Sequence, residues 1–205
     1  MISKTDIIPD YKRATRLAYS LFLKGGFFLT ADTSIVMSHP KVYKVRPYSY
    51  LIERFGKDGL ELIESSDFGF SILQKKTGRY IVCYNEQNPY KVIRFTLAHE
   101  LGHILMDHQL GEDSYEEKEA NCFARNLLCP VPIADYFQLK TVKDYASFFH
   151  VSTSMASVTL RCRDSDRYYM DKDTYDLILL RTNAILRSSP EDAELADLSG
   201  YGWSV

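Results

Sequence analysis

The residue pattern with the clearest chemistry is a pair of histidines four positions apart, His99 and His103, with Glu100 beside the first. On an α-helix, side chains four residues apart lie on the same face, so both imidazoles can point toward one position. Two neutral imidazole nitrogens suit Zn²⁺, and an adjacent carboxylate can take a proton from water that zinc activates. The pattern predicts a zinc site with His99 and His103 as metal ligands and Glu100 as the general base.

A catalytic zinc site needs a third protein ligand, and the next helical segment offers the carboxylates of Glu116, Glu117 and Glu119. Glu117 lies four residues before Asn121, so the two side chains share a helix face on which Asn121 could hydrogen-bond a metal ligand. We therefore favour Glu117 as the third ligand, with Glu119 as the alternative. For the remaining acids we expect a solvated face near a helix N-terminus, where negative charge is favourable.

Two more residues of the motif helix carry specific expectations. Gly102 costs about 1 kcal/mol of helix stability relative to alanine. We therefore expect a neighbouring element, such as the Glu117 helix, to approach it closely, although ordinary packing is an equally simple reason. His108 follows His103 by five residues, which rotates it off the ligand face, so we predict a solvent-facing or capping histidine. His39 and His150 have no partner pattern and are predicted to be structural or surface residues.

Hydrophobic periodicity, glycines and prolines predict the elements that must position these residues. Residues 27–46 are interrupted by proline and predict irregular structure. Two β-rich runs, 68–73 and 79–84, flank a Lys-Lys-Thr-Gly turn and predict a hairpin. Ser152 is a plausible N-cap between two short helices. The predicted helices span approximately residues 7–24, 48–55, 90–108, 115–128, two segments within 141–162, and 173–187.

Length and composition limit the classes of protein to which this chain can belong. The 205 residues, 45% hydrophobic and 25% charged, suffice for one sizeable core or one domain with a small appendage. The net charge of −2 gives no electrostatic case for nucleic-acid binding. We find neither an apolar run long enough to span a membrane nor a secretory signal. The four cysteines show no pairing pattern, which favours reduced thiols and a cytoplasmic location.

A longer pattern extends the histidine motif. Residues 94–103 read RFTLAHELGH, and Glu117-x-x-Ala-Asn-x-Phe-Ala-x-x-Leu-Leu-x-Pro follows. Together they resemble the ImmA/IrrE family of metallopeptidases over roughly residues 68–163, with Cys129 where the family more often has methionine. The resemblance implies Zn²⁺ bound by His99, His103 and Glu117, with Glu100 as general base. It also implies an α+β fold: a mainly helical zincin-like core with a small antiparallel β-sheet and a helix-turn-helix-like C-terminal part.

The same resemblance suggests an organisation and a role. We predict a peptidase domain over residues 1–135 and a helical region over 136–205 packed on it. The expected function is a cytoplasmic zinc endopeptidase that cleaves a helix-turn-helix repressor of a phage or mobile element. One alternative is a non-proteolytic antirepressor that binds its partner. Another is DNA contact through residues 142–163, although these lack a basic face. A Tyr or His from residues 27–50 or the C-terminal tail could stabilise the oxyanion.

Overall fold

The computed structural model describes residues 8–24, 34–109 and 114–187. Within these ranges the chain forms ten helices and one three-stranded sheet. The elements are α1 Tyr11–Lys24, α2 Ser34–Ser38, β1 Val42–Pro47, α3 Tyr48–Phe55, α4 Lys57–Ile63, β2 Gly69–Gln74, β3 Arg79–Tyr84, α5 Tyr90–Met106, α6 Ser114–Leu128, α7 Val131–Tyr136, α8 Val142–Phe148, α9 Thr153–Tyr169 and α10 Lys172–Arg187. The fold is therefore α+β and mainly helical, as predicted.

The sheet has the order β1-β3-β2 and is mixed. Strands β2 and β3 pair antiparallel, from Gly69 opposite Tyr84 to Gln74 opposite Arg79, which confirms the predicted hairpin. Strand β1 pairs parallel to β3, so the sheet is not antiparallel throughout. The expectation of irregular structure up to residue 46 was wrong for this strand. The proline that interrupts residues 27–46 is Pro40, which precedes the strand, and Pro47 comes at the end of this edge strand, where a missing N–H donor is tolerated.

Most predicted helices are present with small shifts at their ends. Helix α5 ends at Met106, two residues early, because Asp107 adopts a left-handed conformation (φ 55°) and its N–H donates to the His103 carbonyl. Helix α1 begins at Tyr11, and residue 7, the predicted start, lies outside the described residues. Three short helices were not predicted, and one of them, α2, lies in the segment that we expected to be irregular. Helix α4 follows Gly56, and α7 begins directly after Pro130 with Pro132 in its first turn.

Helix α5 is the centre of the core. Its buried residues lie on every side of the helix, which is typical of an element enclosed by others. It packs against α6, both hairpin strands, α1 and α2. Leu97, Leu101 and Ile104 of α5 belong to the same buried cluster as Phe123 and Leu127 of α6. The helix that carries the histidine motif is therefore fixed by neighbours on several sides.

The C-terminal helices pack on this core. The Ser152 hydroxyl accepts the N–H of Met155 at 3.1 Å, which confirms Ser152 as the N-cap of α9. The Arg94 guanidinium of α5 donates to the backbone carbonyls of Phe149 and His150, between α8 and α9. Phe149 is fully buried. The connection between α8 and α9 is thus held on α5, while the predicted boundary between residues 135 and 136 stays a prediction.

Gly102 lies where α5 and α6 approach each other closely. A Cβ atom there would stand 3.2 Å from the Ala120 Cα and 3.0 Å from the Phe123 ring. Both contacts are tighter than ordinary van der Waals distances, and the Ala120 contact is with backbone. Glycine at this position therefore allows the close approach that we expected from the Glu117 helix.

We predict that Gly102→Ala lowers the free energy of unfolding by about 1–3 kcal/mol, because overpacking forces α6 away from α5. Helix propensity alone would instead stabilise this variant by about 1 kcal/mol. Urea unfolding of both proteins measures the sign. Ser147→Ala, at an exposed position of α8, is the matched control and should not destabilise the protein. A Gly102→Ala protein as stable as the wild type would contradict the close-approach explanation.

Candidate metal centre

Three side chains converge where α5 meets α6. The Nε2 atoms of His99 and His103 are 2.9 Å apart. The Glu117 carboxylate lies 3.3 Å from the His99 Nε2 and 3.2 Å from the His103 Nε2. One ligand-type atom from each residue lies within 4.8 Å of the other two. The structure thus brings together the two motif histidines and the favoured third carboxylate.

The local structure accounts for this convergence. His99 and His103 are one turn apart on α5, and Glu117 is in the first turn of α6. Only 15% and 14% of the two histidine side chains are exposed, whereas 49% of the Glu117 side chain is. The group is therefore largely buried on the α5 side and open to solvent on the Glu117 side. An open side is what a catalytic metal site needs for water and substrate.

Asn121 fixes the orientation of the His99 ring. Its Oδ1 lies 3.1 Å from the His99 Nδ1, and an amide oxygen can only accept, so the ring nitrogen donates. In a neutral imidazole this leaves the His99 Nε2 with a lone pair directed at the site. Asn121 follows Glu117 by one turn of α6, as the sequence predicted for a residue that supports a metal ligand.

His108 supports the His103 ring in the same way, which the sequence did not predict. Its Nδ1 lies 2.9 Å from the His103 Nδ1, and its Nε2 lies 2.8 Å from the Glu119 Oε2. The Glu119 carboxylate accepts from His108, so a neutral His108 accepts at Nδ1 and His103 must donate. The His103 Nε2 then also presents a lone pair to the site.

The prediction that His108 is a solvent-facing or capping residue was wrong. Only 5% of its side chain is exposed. The prediction assumed that the helix continues through residue 108, but α5 ends at Met106 and the left-handed Asp107 turns the chain. Because of this turn, the His108 ring lies against the His103 ring. Helical spacing cannot predict this position, because residue 108 is not part of the helix.

Glu119 and Glu116 are not at the site. Glu119 accepts from the His108 ring and, through its other oxygen, from the backbone N–H of Asp10. Glu116 accepts the N–H of Gln109 at 3.2 Å. Both side chains are buried, so the expected solvated face was wrong for them. The segment after α5 and the start of α1 cover this side of α6, whereas Glu117 points the other way.

The chemistry of the donor set fits a divalent metal ion. Two imidazole nitrogens and a carboxylate oxygen, all acceptors in these tautomers, face one another and need a cation between them. With protonated rings instead, N–H donation by His103 and His99 holds the pKa of Glu117 well below its usual range. In both cases Glu117 is a carboxylate at neutral pH and carries the negative charge that attracts a cation.

Glu100 lies on the sheet side of α5 and is nine-tenths buried. Burial and then its negative charge raise the pKa of the Cys83 thiol on β3 to about 12. Burial chiefly, and Glu100 among the nearby groups, raises the pKa of Tyr48 to about 12. Glu100 is not among the three residues whose ligand atoms converge.

The oxyanion donor expected from residues 27–50 or the C-terminal tail is not assigned. The Tyr48 hydroxyl donates to the Ser66 carbonyl at 2.8 Å and is committed to it. Residues 27–33 and 188–205 lie outside the described residues.

The four cysteines all lie in the described part of the chain, and none forms a disulfide. No described helix has both the length and the apolar character needed to cross a bilayer.

Substitution of two of the α6 carboxylates, Glu117 and Glu119, is expected to affect metal binding differently. Glu117→Ala should lose stoichiometric zinc because it removes one of three converging donors. Glu119→Ala should keep zinc, with affinity lowered by about 10-fold through the loosened His108 ring. Zinc content after gel filtration and titration against a chelator of known affinity measure both effects. Loss of the metal from Glu119→Ala alone would reverse this assignment.

Removing the His108 ring tests the support of His103 directly. We predict that His108→Ala lowers zinc affinity by about 10- to 100-fold, as is typical when a hydrogen bond to a ligating histidine is lost. His150→Asn is the control, because His150 is exposed and its left-handed conformation (φ 51°) suits asparagine. Circular dichroism verifies that both variants fold. A zinc affinity of His108→Ala within twofold of that of the wild type would show that His108 does not support metal binding by His103.

Comparison with known proteins places the site in a family. The family model Peptidase_M78, described as the IrrE N-terminal-like domain, matches residues 57–161, just over half of the chain. The match runs from α4 into α9 and contains all the residues of the candidate metal centre. No curated protein matches the chain closely enough to be reported as a relative. The chain belongs to the ImmA/IrrE family and is a metallopeptidase of that type.

Proposed function

We propose that this protein is a zinc-dependent endopeptidase in which His99, His103 and Glu117 hold the metal and Glu100 is the general base. The observation that carries the proposal is the convergence of the three donors on one side of α5. A second feature supports catalysis over a purely structural metal. Glu100 has no place among the donors, and a structural site would gain nothing from a nearly buried carboxylate next to it.

The zinc ion, when bound, supplies a Lewis acid that lowers the pKa of water toward about 7 and polarises a carbonyl. Glu100 takes the proton from the attacking water as the new C–O bond forms at the scissile carbonyl carbon. It then returns that proton to the leaving amine nitrogen as the C–N bond breaks. Asn121 and His108 hold the two imidazoles in place, so the donor geometry need not reorganise during the reaction.

The proposed substrate is a helix-turn-helix repressor of a phage or mobile element, and the proposed location is the cytoplasm, where such a repressor acts. The support for this substrate is the family to which the chain belongs. Direct DNA contact is less well supported by the charges of α9. Arg163 and Arg167 both pair with Asp135, so part of the positive charge near its C-terminal end is neutralised.

Glu100→Gln separates proteolysis from binding. We predict that this variant folds and retains zinc, because Glu100 is not among the converging donors, but cleaves the co-expressed repressor about 100-fold or more slowly. Immunoblotting of the repressor over time measures cleavage, and metal analysis of the purified variant measures zinc. Glu61→Gln, at an exposed position of α4, is the matched control and should cleave at the wild-type rate.

The same variant tests the non-proteolytic alternative. If Glu100→Gln induces the regulated genes as strongly as the wild type while the repressor stays intact, the protein acts by binding and the peptidase proposal fails. Loss of induction together with loss of cleavage, at unchanged zinc content, is the expected result.

A further inference from the structure

A cavity of about 400 Å³ lies beside the candidate metal centre, between the first turns of α5, the middle of α6 and the start of α9. Its volume is in the range of small-molecule and side-chain binding pockets. The residues that line it are Lys91, Val92, Phe95, Asn121, Arg125, Ser152, Ser154, Met155 and Val158.

The cavity borders the candidate metal centre. Asn121 belongs to both, since it lines the cavity and accepts from the His99 ring. Phe95 also lines the cavity, and its ring centroid is 5.9 Å from that of His99. Phe95 and Asn121 are each one helical turn, about 5.4 Å, from a proposed metal ligand. Successive Cα atoms are about 3.8 Å apart, so a peptide held at the metal centre can place a nearby side chain in the cavity.

The lining favours an apolar occupant. Val92, Phe95, Met155 and Val158 contribute apolar side chains from two sides. The Ser152 hydroxyl oxygen accepts the N–H of Met155. Methionine is flexible enough to adjust to occupants of different shape. The cavity therefore fits a large aliphatic or aromatic side chain better than a polar one.

The charges of the lining disfavour a basic occupant. Among the described residues that line the cavity, none is acidic, and Lys91 and Arg125 are both cationic. The Arg125 guanidinium is held by both oxygens of Asp166, at 2.6 and 2.7 Å, which neutralises it. Lys91 is exposed and keeps its charge at the rim. A lysine or arginine side chain would find no anionic partner and would be repelled by Lys91.

We propose that this cavity is the specificity pocket of the enzyme and binds a large apolar side chain of the substrate within one or two residues of the scissile bond. The assignment of the pocket to a peptide substrate rests on the proposed peptidase function. The chemical preference of the cavity rests only on its lining, so the two can be tested separately.

The first test measures binding without cleavage. Methionine methyl groups are labelled with ¹³C, and the protein is titrated with N-acetyl-leucinamide or N-acetyl-lysinamide. We expect the leucine compound to shift the Met155 resonance, while the resonance of Met170, at the end of α9 and outside the lining, stays unchanged. The lysine compound should leave both unchanged. An unshifted Met155 resonance, or equal shifts with both compounds, would overturn the proposed preference even if the protein proves to be a peptidase.

The second test measures specificity in cleavage. The zinc-loaded protein is incubated with peptides prepared from casein, and cleavage sites are mapped by mass spectrometry. We expect one position next to the scissile bond to favour Leu, Met or Phe over Lys by about 10-fold or more in kcat/KM. Val158→Glu places a carboxylate in the lining and should shift that position, and no other, toward Lys and Arg. Leu180→Glu, on the exposed face of α10, is the matched control and should leave the preference unchanged.

The outcomes of the two tests are distinguishable. Cleavage with no change of preference in Val158→Glu would overturn the pocket and leave the peptidase proposal intact. Absence of any cleavage by the zinc-loaded wild type would count against the peptidase proposal, while the methyl shifts still decide which side chain the cavity accepts.

Discussion

The close contact between α5 and α6 at Gly102 is the constraint on which the site depends. The two motif histidines lie on α5, whereas Glu117 and Asn121 lie on α6, so the contacts of Glu117 and Asn121 with the histidines require the two helices to stay at this separation. A side chain at residue 102 would meet the Ala120 backbone. The cost of glycine within a helix, about 1 kcal/mol, is offset by the geometry that it permits. The same contact also forms part of the hydrophobic core, which couples stability to the site.

Support for the two imidazoles comes from opposite directions. Asn121 holds His99 from α6, whereas His108 holds His103 from the segment after α5 and is itself held by Glu119 of α6. The backbone N–H of Asp10, at the start of α1, completes the second arrangement. Asp10 lies outside the stretch that the family model matches, as does Asp166, which holds Arg125. Residues on both flanks of the family domain therefore support the residues at its centre.

The carboxylates near the site divide by exposure. Glu117 is half exposed and faces the open side, while Glu119 and Glu100 are nearly buried on two other sides of the α5–α6 pair. An exposed carboxylate can attract a cation and admit water, whereas a buried one serves as a fixed hydrogen-bond or proton acceptor. The apolar cavity lies beside the site, between α5, α6 and α9. One pair of helices thus provides the donors, the neighbouring carboxylates and a binding surface.

Local patterns in the sequence were sufficient for the features that depend on one or two adjacent elements. The spacing of His99 and His103 on one helix, the pairing of Glu117 with Asn121 on the next, the β2–β3 hairpin and the Ser152 cap all follow from helical or strand periodicity and capping chemistry. The ligand roles of the two histidines and Glu117 remain predictions that this geometry supports. Only the tertiary structure decided the burial of His108 and Glu119, because the chain turns at Asp107 and α1 covers that side of α6. It also decided that β1 joins the sheet, since an edge strand with one parallel neighbour is stabilised by non-local pairing that a local pattern does not record.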